Sequence, residues 1–408
     1  AWDCDFHLDL NLEMCYWPLP MMNLPELIEP VMDWLEHLLP EARRLAADLY
    51  GARGAHFGGV ADLRHVGTID DLCFGWIGSG AWIMQLLWHH WEYSGDTQFL
   101  RERLYPLLIE VARFMEDVFI DDGTGGRAPF PSSSPEMGIA GRKRYSSLSS
   151  SSTMDLELGR ELFDHLITAA ETLQIDQSEH ARWREIHDQI PQPVLHPQKG
   201  LLEWLEDHEP VDPGHRHRSH FVAFCPGDGV TNEGNAEYVE GIRKALITRG
   251  LAGRDRGCSL TWIWDAQTWA RLYDGERAAF ELGFTAANNV MDNLLMSLLD
   301  WRETSTTLNW FDRKIFQIEA SIGAVGAISE FFFQDRGGLL RLLPALPASM
   351  PDGSLRGFRA RGGFIVDMSW AGGVFTEARI VSERGTRCKL KLFCTANEVE
   401  ISHEGRII

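Results

Sequence analysis

Residues 152–173 read STMDLELGRELFDHLITAAETL. Within them Met154, Leu158, Leu162, Leu166, Ala169 and Leu173 recur at intervals of three and four, the spacing that gathers apolar side chains on one stripe of an α-helix. The same period runs through 101–119, in Leu104, Leu107, Leu108, Val111, Phe114, Met115 and Val118. Further helices are expected near 24–50, 80–95, 178–190, 233–249, 260–273, 276–299 and 316–333, so the chain reads as mainly α up to about residue 330. Between these helices lie stretches rich in Gly, Pro and Ser at 121–153, 191–220 and 225–235; loops that long inside a compact domain usually carry function or are disordered. Ser146 to Ser152, broken only by Leu148 and adjacent to Arg142, Lys143 and Arg144, reads as a mobile flap or as a flexible surface loop.

Outward from the helices, both ends change character. Residues 1–14 alternate, with Phe6, Leu8, Leu10, Leu12 and Met14 on one side and Asp5, His7, Asp9, Asn11 and Glu13 on the other. Period two predicts an extended segment with a polar face. After about 335, Phe364, Val366, Met368 and Trp370 alternate with Ile365, Asp367 and Ser369 between Gly pairs, and Lys389 to Phe393 and Glu398 to Ile401 read as further strands. The expected organisation is therefore a helical domain at 1–335 and a β-domain at 336–408. A β-domain of that size is marginal alone and is expected to dock on the helical body. The abrupt patterned start suggests that an upstream portion is missing.

Composition narrows the function classes. The 408 residues carry 38 Lys+Arg and 59 Asp+Glu, and 38 − 59 gives a net charge of −21. That field repels polyphosphate, which argues against a nucleic-acid or anionic-membrane binder. No run of 18 apolar residues is present to span a bilayer. Seven scattered Cys with no C-x-x-C pair indicate neither a zinc ribbon nor a disulfide scaffold. The 15 Trp are unusual; such rings either stack on sugar faces or fill a helical core.

Four segments carry candidate chemistry. In DFHLDLNLEMCYWP, at 5–18, an extended strip would present His7, Asp9 and Asn11 about 6.7 Å apart, lining a pocket or simply facing solvent. The following Tyr16 and Trp17 favour the pocket. In PSSSPEMG, at 131–138, Glu136 follows Pro135. It is either an exposed loop carboxylate or a partly desolvated one whose raised pKa suits general-acid work. In 200–220, His215, His217 and His220 suggest a metal, a structural hydrogen-bonding loop or a substrate contact. The interleaved Arg216 and Arg218 oppose a cation, whereas Arg and His donors suit hydroxyl groups. In 314–332, Glu319 precedes a helix of small residues, where a carboxylate also compensates the helix dipole.

Taken in order, these segments resemble glycoside hydrolase family 95, the inverting α-L-fucosidases. GSGAWIMQLLWHHWEYSGDTQFL at 78–100 is similar to the family's Gly-x-Ala-Trp helix and Thr-Gly-Asp turn. Residues 152–173 are similar to its Thr-Met-Asp helix, and LLPALPASMPDGSLRGFRARGGFIVDMSW at 342–370 to the start of its C-terminal β-domain. The likeness spans essentially the whole chain, without the family's N-terminal β-domain. It implies an (α/α)6 barrel followed by a small β-sandwich-type domain. It implies Glu136 as general acid, Asn11 as the contact to the attacking water, Glu319 as the carboxylate polarising that Asn, and Asp9 beside the water. It places His7, Arg216 and His217 on sugar hydroxyls. Trp17, Trp76, Trp82 and Trp204 become candidates for the pocket wall, with core packing the competing reading for each. No metal or organic cofactor is implied, and the expected partner is a glycan.

Two departures stand out. The family usually has Asn where this chain has Asp9, and Asp-Gly-Asn where it has Glu319-Ala320-Ser321. The first puts a formal charge next to the water. Asp9 then serves as direct base, or shares that role with Asn11 and Glu319 through coupled titration. The competing readings are an α-L-galactosidase or related α-L-glycosidase on the same frame, a sugar-binding protein that has lost turnover, and a glucan phosphorylase, for which no basic phosphate cradle is evident. Export and a reducing compartment both remain open for localisation, as does the oligomeric state.

Overall fold

A computed structural model describes residues 6–62, 67–68, 76–142, 148–149, 151–302, 315–394, 402–403 and 406–407. Ten helices dominate it: α1 Leu10–Tyr16, α2 Glu29–Tyr50, α3 Ser79–Ser94, α4 Tyr105–Val118, α5 Thr153–Leu173, α6 His180–Gln189, α7 Ala236–Gly253, α8 Ser259–Arg271, α9 Gly275–Asn289 and α10 Ile318–Phe332. The stripe predicted for 152–173 packs as expected, with Met154, Leu158, Leu162, Leu166, Ala169 and Leu173 all buried in α5.

The helices sort into two rings. α3 is buried on nearly every side and α8 on all of them, as a helix in a central ring must be. Around the centre α1 packs on α3 and α3 on α5; α5 meets the short turn Ser219–Phe221; α8 packs on α10, and α10 closes back on α1. The turn at 219–225 is tied to α8 by Trp264 Nε1, which donates to Cys225 O at 3.0 Å. α2, α4, α6, α7 and α9 follow the inner segments in alternation. Inner and outer helices in this alternation form the (α/α)6 barrel.

Three expectations need correction. The segment 1–14 is not one extended strip. Residues 1–5 lie outside the described residues, only Phe6–His7 is a strand (β1, paired with β2 Val60–Ala61), and Leu10–Tyr16 is helix. Asp9 caps that helix, accepting from Asn11 N at 3.2 Å. Alternating apolar residues also satisfy i, i+4, as Leu10 and Met14 do, and the cap settles the ambiguity toward helix. Likewise 276–299 is helical only to Asn289, whose side chain turns back to donate to Ser297 O at 3.0 Å. The segment 146–152 also differs from a loose loop where it is described. Ser149, Ser151 and Ser152 are buried, and Ser152 caps α5; Ser146, Ser147 and Ser150 lie outside the described residues.

The strands β3 Phe333–Gln334, β4 Leu340–Leu342 and β8 Leu390–Leu392 form one small sheet, with order β8-β4-β3. The strands β5 Gly353–Ala360, β6 Phe364–Ala371 and β7 Val374–Ser382 form an antiparallel meander. In β6 the predicted alternation holds, with Phe364, Val366, Met368 and Trp370 buried. The strand expected at 398–401 lies outside the described residues. Phe364, Val366, Met368 and Trp370 share a core with Met21 and Tyr93 of the helical part, so the β-region is docked.

Arg361 rivets the two parts together. Its guanidinium donates to Glu92 at 2.8 Å and Asp335 at 2.6 Å and also meets Asp228, while lying 4.7 Å over the Tyr93 ring. Removing one member of so enclosed a cluster leaves like charges facing each other in low dielectric. Arg361→Met, which keeps the apolar stem, is expected to lower unfolding free energy by about 3 kcal/mol, read as an earlier urea midpoint.

Candidate active site

The site is assembled at the N-terminal ends of the inner helices. Asp9 and Asn11 stand at the start of α1 and Glu319 in the first turn of α10. Because α1 and α10 are ring neighbours, Asn11 reaches across and donates from Nδ2 to Glu319 Oε1 at 2.5 Å. That bond turns the amide Nδ2 toward Glu319, leaving Oδ1 as the side able to accept a hydrogen bond from water.

Glu136 comes from the loop before α5, and that loop is anchored at several points. Ser132 Oγ donates to Asp155 at 2.7 Å, and Ser134 Oγ donates to Glu203. Pro135 O accepts from Ser219 Oγ at 2.6 Å and lies 3.2 Å from His217 Nδ1. Glu136 is thus held largely inside rather than exposed. Arg216 Nη2 donates to its carboxylate, and the His217 ring stands 3.6 Å away. The His and Arg segment is held in turn by Arg218, whose fork grips Asp265 at 2.6 and 2.8 Å.

Electrostatics bring the two sides into one field. Burial pushes the Asp9 carboxyl up to about 7; His7 and the Asn11 amide oppose this, and the nearby charges of Glu136 and Glu319 add to it. Glu319 is likewise raised by burial, against the Asn11 and Gln317 hydrogen bonds and the His7 charge. His7 therefore lies within electrostatic reach of Asp9, Glu136 and Glu319 together. His217 is depressed to about 4 by burial, so its ring is neutral at pH 7.

Glu136 departs from expectation. Burial alone would raise it, but Arg216, then His217 and His7, carry it below the ordinary carboxylate range. The raised value read from the loop is corrected: proline bracing supplied the burial, but the Arg216 guanidinium, 80 positions away in sequence, sits on the carboxylate. Arg216→Met is expected to shift the acidic limb of kcat/KM upward by about 1–3 pH units, since with Glu136 titrating below Asp9 that limb reports Glu136 in the free enzyme.

The other candidates divide. His215 and His217 flank Glu136, while His220 turns away to Glu203 at 3.0 Å, so the three imidazoles do not converge on a common ion position. Among the described residues the grouping with metal-like spacing is instead His89, Glu92 and Asp228, against which the Arg361 guanidinium already lies. Trp17, Trp76 and Trp82 are buried in the barrel core, where Trp82 stacks on Trp264 at 6.2 Å and Trp17 meets it edge-on at 5.6 Å. Trp204 packs with Met137 and Ile139 behind the Glu136 loop. None of the four borders the cavity of about 590 Å³ that His7, Asn11 and Glu319 share. The supports Ser132, Ser134, Glu203 and Gln317 were not singled out as site residues in the sequence, and Asp155 entered only as part of the Thr-Met-Asp motif; a Ser triplet between two prolines was the other signal.

The architecture is that of the (α/α)6-barrel glycosidases. A solved wild-type glycosidase superposes with a TM-score of 0.55 at 11% identity, covering 80% of this chain and 87% of that one. The chain belongs to glycosyl hydrolase family 95: the family's catalytic domain matches residues 1–332 and its C-terminal domain residues 334–407. Alpha-L-fucosidase 2 of Arabidopsis thaliana is 33% identical over 392 residues, 94% of this chain and 45% of that protein. "Probable alpha-fucosidase A" of Aspergillus niger is 27% identical, over 91% of this chain and 47% of that protein. The chain thus spans about half the length of these curated relatives.

Proposed function

We propose that this chain is the catalytic part of a glycoside hydrolase that releases terminal α-L-fucosyl residues, 1,2-linked, from glycans with inversion at the anomeric carbon. The observation that carries the reading is the opposition of one buried carboxyl group, Glu136, to a cluster of Asp9, Asn11 and Glu319 that shares its electrostatic field. Inversion needs this division: an acid on the leaving oxygen, and a base side that activates water on the other ring face, with carboxyl groups about 6.5–9.5 Å apart.

The steps follow from the groups present. Glu136 gives its proton to the glycosidic oxygen as the C–O bond breaks. Water, donating a hydrogen bond to Asn11 Oδ1, attacks the anomeric carbon, and its proton passes to Asp9, whose value of about 7 suits a base at neutral pH. Glu319 keeps the Asn11 amide aligned and offsets the positive charge that develops. Arg216 and His217 bind sugar hydroxyls. A hydroxyl that takes the Arg216 donors removes one of the contacts that lower Glu136 and moves its pKa upward, toward the range of a working acid.

A panel of nitrophenyl α-L-glycosides, with the anomer of the released sugar followed by NMR, tests the reading. The expected outcome is turnover of the fucoside with β-L-fucose as first product. Preferential turnover of the α-L-galactoside would move the assignment to that sugar. Retention of configuration, or binding without turnover, would overturn it.

A further inference from the structure

A second cavity, of about 360 Å³, shares no residue with the candidate active site. It opens where the inner ring is interrupted. Between α5 and α8 the ring carries the short turn Ser219–Phe221 in place of a helix, and Ala223, Asp228 and Gly229 of the chain that follows border the gap. Trp88, His89 and Glu92, toward the C-terminal end of α3, form one wall, and Arg361 of the β-region lines another side. Seams between packed parts are frequent places for small molecules.

A helix in a central ring should be apolar wherever it meets its neighbours. The side of α5 toward this cavity instead carries Glu157, Glu161, Asp164, His165 and Thr168, at i, i+4, i+7, i+8 and i+11. Glu157 and Glu161 are the unusual pair, because each side chain is 9% exposed and each is only half partnered. Glu157 Oε1 accepts from the Tyr238 hydroxyl at 3.2 Å and from Arg160 Nη1 at 3.3 Å, and Glu161 Oε2 accepts from Gln85 Nε2 at 2.6 Å. Their other oxygens, Glu157 Oε2 and Glu161 Oε1, accept no hydrogen bond among the described residues. His165 Nε2 stands 3.6 Å from Glu161 Oε1, beyond hydrogen-bond reach. Burial keeps the His165 ring neutral, stacked on Trp88 at 4.4 Å, so it brings no counter-charge. Buried carboxylate oxygens are normally given a donor. Glu92 and Asp228, on the other side of the cavity, have theirs in Arg361; these two oxygens do not. Burial, and then the charges of Asp228, Glu92 and Glu157, hold the Glu161 carboxyl well above the usual range, which marks the cavity as short of positive charge.

We propose that this cavity binds a small organic ammonium ion, with its N–H donors on Glu157 Oε2 and Glu161 Oε1 and its carbon body against Trp88 and His165. A primary ammonium has three donors and no acceptor, so one group serves both carboxylates and supplies the missing charge. The net charge of −21 favours its approach. A neutral sugar could fill the volume but would leave the charge unbalanced. A bare metal ion fits less well, because the grouping with metal-like spacing, His89, Glu92 and Asp228, already faces the Arg361 guanidinium. An amino sugar and an aliphatic diamine carry the same ammonium chemistry, and both fit a volume of this size.

Isothermal titration calorimetry of the 408-residue chain at pH 7 tests this, with glucosamine, putrescine, glucose and calcium chloride titrated separately. Saturable binding of at least one amine is expected, with Kd at or below about 1 mM, and none of glucose. Glucosamine alone would identify an amino-sugar site, putrescine alone a diamine site. Glu157→Gln and Glu161→Gln each keep the shape of the side chain and remove one charged acceptor. Each is expected to weaken amine binding by about 10–100-fold while leaving Tm unchanged or higher, since a buried acid is replaced by a neutral amide. Absence of binding by both amines would overturn the proposal, as would glucose binding as tightly as glucosamine. Binding of calcium in place of the amines, or amine binding that either variant leaves unchanged, would overturn it too. No activity measurement enters, so the outcome is independent of the hydrolase reading.

Discussion

Glu136→Gln is expected to lower kcat/KM on a fucosylated oligosaccharide by about 10²–10⁴-fold, the usual contribution of a positioned general acid. Gln keeps the size of the side chain and an oxygen for the Arg216 donor, so the loss isolates the proton. The same change should cost far less on a nitrophenyl glycoside, whose leaving group departs without protonation. Contrast between the two substrates is the diagnostic result, with Tm measured alongside because Arg216 loses its counter-charge. A loss of only a few-fold on the natural substrate would remove Glu136 from the acid role.

Asp9→Asn should act on both rate and stability, with distinguishable signatures. If Asp9 takes the proton from water, kcat falls by about 10²–10⁴-fold, and the limb of the pH profile centred near 7 disappears. Unchanged turnover would leave water activation to Asn11 and Glu319 alone. The stability effect has the opposite direction. The folded carboxyl titrates near 7 against 3.8 for the unfolded reference, so between those values the unfolded state is ionised while the folded state holds the proton. Wild-type stability then declines by about 1.4 kcal/mol per pH unit across that window from this group. Asn caps α1 as well as Asp does and has no proton to lose. The variant should therefore match the wild type near pH 4 and become progressively more stable than it toward pH 7, as urea unfolding at several pH values would reveal.

How much could be read from letters alone varied with the range of the interaction. The stripe of α5 and the alternation of β6 were legible because they are set by neighbours three, four or two positions away. The start of the chain was misread because Leu10, Leu12 and Met14 satisfy two periods at once; only the Asp9 cap, a matter of backbone geometry, separates them. Resemblance to a family brought Asp9, Asn11, Glu136 and Glu319 into one site, which no local pattern could do, since Asn11 and Glu319 are 308 positions apart. The charge state of Glu136 was not legible at all. It depends on where Arg216 points, and that is decided by Arg218 gripping Asp265 and by the loop closing over Pro135. Of the four tryptophans named as candidates for the pocket wall, Trp17, Trp76 and Trp82 lie in the helical core and Trp204 packs with Met137 and Ile139, the core-packing reading given beside the other for each.

The Arg361 rivet bears on how this protein can be shortened. Anyone seeking a smaller catalyst by ending the gene after the last barrel helix would strip from that end of the molecule the guanidinium that touches Glu92, Asp228 and Asp335 together. Such a truncate would expose the Tyr93 ring and strand three acids beside it, a recipe for inclusion bodies rather than for a minimal enzyme.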